Sequence, residues 1–125
     1  MKALLFSLTV LFLLAAPLSN IFAANYYVSQ ERGDDSRSMA EAQNPATPWK
    51  SIDKVNSVFN YLKPGDAILF NKGETFFGTL HISASGTSNA PIKIGAYGSG
   101  AKPVITSFET VSGWRAIGNG VYESQ

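Results

Sequence analysis

The chain has no cysteine, and its one histidine is His81. Small exported domains often lean on disulfides, and this one has none to brace it. No His/Cys cluster stands at metal-ligand spacing, and there is no Ser-His-Asp set and no glycine-rich phosphate loop. Charge of one sign is also lacking. Ten Lys and Arg face nine Asp and Glu, for a formal net charge of +1. The basic residues are scattered, so there is no patch to attract nucleic acid electrostatically. Beyond the first apolar stretch no second one follows, which leaves no transmembrane span after it.

That first stretch is the most telling feature present. Lys2 precedes an apolar run from Ala3 to Ala16, interrupted by Ser7 and Thr9. Pro17 breaks it, and Ile21-Phe22-Ala23 offers a small residue for cleavage. A charged start, an apolar middle and a small-residue end make a secretory signal peptide. The run is too short for the ~20 residues that span a bilayer. The expectation is a signal peptide over residues 1–23, with Ala24 as the alternative last residue, and a protein acting in the periplasm, at the cell surface or outside the cell. Loss of Lys2 brings the net charge to about zero.

The remainder divides by texture. Tyr26-Tyr27-Val28 reads as a short strand, and residues 29–48 as a long turn-rich loop. Over residues 51–62, Ile52, Val55, Phe59 and Leu62 form one apolar stripe at helical spacing. Ser51 is placed to cap that helix, and Lys63-Pro64-Gly65-Asp66 to stop it. After Asp66 short apolar runs begin near residues 68, 80, 92 and 104, a recurrence of 12 residues that makes Ile68 and Ile92, or Leu80 and Val104, partners at 24. Such a recurrence fits a parallel β-helix, whose coils stack strand on strand. A β-sandwich with strands every 8–12 residues fits it as well.

Several segments stand in an order that resembles the start of secreted right-handed parallel β-helix proteins of the pectate-lyase-like superfamily. They are Tyr26-Tyr27-Val28-Ser29 with Gly33-Asp34-Asp35-Ser36, then Pro48-Trp49-Lys50-Ser51-Ile52 and Leu62-Lys63-Pro64-Gly65-Asp66. Gly73-Glu74-Thr75-Phe76, Gly86 to Ile92, Tyr97-Gly98 and Lys102 to Ile105 complete the set. The resemblance implies an all-β fold: a first strand and loop over residues 24–50, a capping helix over 51–62 and the first coils of a truncated right-handed parallel β-helix over 63–125. It further implies that the whole protein degrades an acidic polysaccharide by lyase or hydrolase chemistry, with calcium in the longer protein. The other reading is a non-catalytic, glycan-binding surface protein.

No catalytic, cofactor or metal residue follows for this segment. His81 is a general base by type but reads as a surface or packing residue. Asp34 and Asp35 are oxygen ligands by type, yet adjacent acids lack the alternating spacing of a calcium loop and fit a turn. Asp66 reads as a turn residue, and Lys93 and Arg115 as solvated surface. Trp49, Tyr97 and Trp114 could stack on sugar rings and read instead as packing residues. The expected partner is polysaccharide, bound by the longer protein. Nucleic acid is not expected as a partner.

Overall fold

The computed structural model describes residues 22–108 and 111–124, so most of the expected signal peptide lies outside the described residues. The chain is mostly strands with one short helix. Strand β1 is Asn25–Val28, helix α1 Ile52–Val58, β2 Ala67–Asn71 and β3 Thr75–Phe77. Strand β4 is Lys93–Tyr97, β5 Val104–Thr106, β6 Arg115–Gly118 and β7 Val121–Glu123. Three strands form one parallel sheet in the order β1-β2-β4, and β3 and β5 form a second parallel pair.

The strands carry their inward residues at alternate positions, as a pleated backbone requires. Ile68 and Phe70 are buried, while Leu69 and Asn71 are half-buried on the other face. Tyr26 sits beside Ile68 and Val28 beside Phe70, so the same face is buried in β1. Phe70 and Phe76 meet edge-on with ring centres 4.8 Å apart, joining the two sheets inside.

Helix α1 contributes the rest of this core. Ser51 is extended, and its hydroxyl accepts from the Lys54 N–H at 3.1 Å, the expected N-cap. Regular α-helix ends at Val58 and one tighter turn follows over Phe59–Tyr61. The stripe is nonetheless intact: Ile52, Val55, Phe59 and Leu62 are all buried. Each contributes about 1.5–3 kcal/mol of burial.

The loop over residues 29–48 is organised. A short 3-10 turn over Glu41–Gln43 buries Ala42, and the chain returns at Trp49 to lie beside β1. The Trp49 N–H donates to the Tyr27 carbonyl at 2.9 Å, and the Ser29 N–H to the Trp49 carbonyl at 2.8 Å. Gly33 is what lets the loop pass this point. A Cβ there would stand 2.1 Å from the Trp49 carbonyl oxygen and 2.4 Å from Lys50 Cα.

Three expectations need correction. Ile68 pairs with Ile94, not Ile92, and Val104 pairs with Thr75, not Leu80. Ile92 and Ile94 share a face of an extended chain, so the alternation of side chains does not distinguish the two registers. Leu80-His81-Ile82 is not a strand. It runs past α1, and one helix side chain serves as its partner: Asn56 Nδ2 donates to the Thr79 carbonyl at 2.9 Å and Asn56 Oδ1 accepts from the His81 N–H at 2.8 Å. Finally, β6 and β7 pair antiparallel, outside any parallel coil. Gly118, Asn119 and Gly120 all have positive φ, which allows a tight reversal where parallel strands would need a long crossover.

Candidate functional site

The chemistry-bearing side chains divide into those committed to the fold and those in solvent. Three carboxylates belong to the first class. Glu74 sits at the corner between β2 and β3 and is 7% exposed. Its Oε1 accepts from the Ser29 hydroxyl at 2.8 Å and from Asn71 Nδ2 at 2.5 Å, and its Oε2 accepts from the Gln30 N–H at 2.6 Å. One charged group thus joins the end of β1 to the end of β2. Asp35 does the same for the loop and helix: it accepts from the Lys50 N–H, the Ser51 N–H and the Ser51 hydroxyl at 2.7, 3.1 and 2.6 Å. Asp66 is a turn residue as expected, and also a buried one that accepts from the Lys63 and Ala24 N–H groups. Each spends its oxygens on structural donors.

Asp34 and Glu41 are exposed acids that organise the loop. Asp34 Oδ1 accepts from both the Ser36 N–H and hydroxyl, and Glu41 Oε2 accepts from the same pair on Ser38. Those hydrogen bonds hold both carboxyls below the usual carboxylate range. Asp34 and Asp35 therefore serve a turn and a helix cap. Among the described residues no three His, Cys, Asp or Glu side chains come together in a way that could hold a metal.

His81 is exposed, and its backbone, tied to Asn56, is what the fold uses. Lys93 is exposed, and Arg115 pairs with Glu123 across the β6–β7 hairpin. Trp49 is fully buried and stacked on Tyr26 with ring centres 5.4 Å apart. Its indole N–H donates to the Arg37 carbonyl at 2.9 Å, so it is a packing residue. Tyr97 meets Tyr27 edge-on at 4.8 Å, and burial pushes its phenol pKa up. The Tyr97 hydroxyl is buried without a partner among the described residues. Trp114 is exposed beside β6.

One open hollow of about 280 Å³ lies beside the helix, lined by Phe59, Ile82, Ala84, Pro91, Ile92 and Ile94 among others. Its lining is aliphatic and aromatic with the hydroxyls of Ser85 and Thr87, and it contains no acid or base. It can hold apolar groups and cannot move a proton. Sequence reasoning missed Glu74 and Asn56, and read Asp35 as a turn residue without its contacts to Lys50 and Ser51. The signal for Glu74 was available: it precedes Thr75-Phe76-Phe77 in the phase that points inward with Phe76.

No family model matches the chain. It is 44% identical over 86 residues to a lacto-N-biosidase of Bifidobacterium longum subsp. longum, a match covering 66% of this chain and 5% of that protein. It is also similar to the lacto-N-biosidase of glycoside hydrolase family 136 from Eubacterium ramulus, solved as native protein and as a selenomethionine derivative. In both structures the identity is 42%, the TM-score is 0.56, and the match covers 64% of this chain and 12% of the other. The chain thus spans a small part of each relative. These findings correct the pectate-lyase-like resemblance, since the similar proteins are glycoside hydrolases. The segments behind that resemblance are now seen to do folding work. Among them are the first strand, the Gly33 passage, the Ser51 cap and the Asp66 turn.

Proposed function

We propose that this chain is the first part of an exported glycoside hydrolase, a lacto-N-biosidase that cleaves glycosidic bonds in glycans. The observation that carries the reading is sequence identity of 42–44% to two such enzymes, together with a shared fold over about two thirds of the chain. Glycoside hydrolysis commonly uses two carboxyl groups flanking the scissile bond. Asp35, Asp66 and Glu74 are engaged by structural donors, and in this reading the catalytic acids are supplied by the rest of the enzyme. The segment builds the foundation on which they are held. We further read its two parallel ladders as the opening turns of a parallel β-helix, with α1 laid over the first turn. In this reading residues 1–23 are a leader that carries the enzyme beyond the cytoplasm.

The test uses the full-length exported protein with an aryl lacto-N-bioside. Release of the aryl alcohol is expected. Parallel arms with pectate and alginate, followed by ultraviolet absorbance of unsaturated products, should stay flat. A chelator arm reports on the calcium expected for the longer protein. Binding of the glycan without turnover would favour a glycan-binding surface protein and refute this reading.

A further inference from the structure

Asp66 closes the turn before β2 and is 2% exposed. Its Oδ2 accepts from the Lys63 N–H at 2.9 Å. Its Oδ1 accepts, at 2.9 Å, from the N–H of Ala24. Ala24 is the residue immediately after the expected cleavage position, and it is already part of the fold: its carbonyl accepts from the Ala67 N–H at 2.8 Å. One residue earlier, Ala23 is exposed and rests against Gly65, which has φ of +93°; a Cβ at Gly65 would stand 3.3 Å from the Ala23 Cβ. Phe22 is 84% exposed. The boundary between the folded and the dispensable chain therefore falls between Ala23 and Ala24, with a buried carboxylate facing the nitrogen on the folded side.

We propose that the processed chain begins at Ala24 and that its new α-ammonium forms an ion pair with Asp66, so that removing the leader creates a lock at the foot of β1 and β2. In the cleavage, a signal-peptidase-class endopeptidase adds water across the Ala23–Ala24 peptide bond. Water oxygen bonds to the Ala23 carbonyl carbon, the C–N bond breaks, and the leader departs as a carboxylate. The Ala24 amine takes up a proton, becoming an ammonium below its ordinary pKa of about 7.7–8.0. A neutral amide donor to a buried carboxylate becomes a cationic one, a shorter and stronger contact. A chain starting at Asn25 would lose both this pair and the Ala24–Ala67 rung. The proposal rests on the export reading and is independent of glycan hydrolysis.

The pair has a defined pH window. An ammonium beside a carboxylate titrates above its unfolded value, so its contribution is fully present below about pH 7.7 and is lost as pH rises through the raised folded value. The other titratable groups at this end are Tyr26, Lys63 and Lys93. Burial and the Asp66 charge push the Tyr26 phenol up. Lys63 and Lys93 are both exposed.

The test takes the full-length protein, expressed with its leader and recovered after export. N-terminal sequencing should read Ala24. A start at Asn25 overturns the proposal while leaving the export reading standing; an intact Met1 overturns the export reading itself. The α-amine is then labelled competitively across pH and quantified by mass spectrometry. Its midpoint should lie about one unit above that of the denatured protein, tenfold less free amine at a given pH, and should fall back in Asp66→Asn. Equal midpoints in native and denatured protein overturn the ion pair, whether or not the variant folds.

Discussion

Glu74→Ala is the most searching single substitution in this segment. The side chain removed accepts from Ser29, Gln30 and Asn71. Asn71 is half-buried and can turn towards water. The Ser29 hydroxyl has no such escape, because Ser29 is 0% exposed, while the Gln30 N–H belongs to a half-buried residue. The stranded Ser29 hydroxyl costs roughly 1–3 kcal/mol and the half-buried Gln30 N–H about 1 kcal/mol, so the substitution costs about 2–4 kcal/mol locally. Glu74→Gln keeps one acceptor oxygen but sets an amide N–H₂ against another donor, and costs about 1–3 kcal/mol. The assay is hydrogen exchange by mass spectrometry on the full-length protein, following peptides over residues 25–34 and 67–77. Since 1.4 kcal/mol is about tenfold in an equilibrium, exchange there should rise at least roughly 25-fold in the alanine variant and less in the glutamine variant. Peptides over β6 and β7 should not change. Unchanged exchange over residues 25–34 in both variants would refute the claim that this carboxylate joins the two strands.

Two further outcomes are expected. Phe59→Asp buries an unpaired charge in a fully enclosed site, so export yield should collapse; a yield and melting temperature like those of wild type would show that the helix is not packed as described. Asp34 and Glu41 have depressed carboxyl pKa values, so their contribution is present above the ordinary unfolded value and lost as pH falls through the lower folded one. Protection of the Ser36 and Ser38 amides should therefore persist at pH 4 and disappear only in stronger acid; loss at the ordinary carboxylate pKa would contradict those hydrogen bonds.

The helix and its cap were legible because both signals are local: an apolar stripe repeats every turn, and a serine stands just before it. The strand at β2 and the turn before it were legible for the same reason. Register was not, because Ile68 pairs with Ile94 from a distant part of the chain, and nothing near either residue records that choice. The segment around His81 was misread because its backbone partner is a side chain, Asn56, on a different element. Trp49 and Asp66 are buried, and His81 and Lys93 lie in solvent. Glu74 was overlooked because its partner Ser29 lies 45 positions away, and Asp66 was read as a turn residue without its contact to Ala24, 42 positions away.

Asn56 has a consequence for how this surface can diversify. By holding Thr79 and His81, it pins the chain on one side of the stretch over residues 82–92, while the Lys93 N–H, donating to the Asp66 carbonyl at 2.9 Å, pins it on the other. Between the two pins no strand ladder has to keep count of residues. Doubling the length of a flexible closed loop costs only about 0.6 kcal/mol of closure entropy. Insertions there would leave the Ile68–Ile94 register where it is, at small cost to the frame.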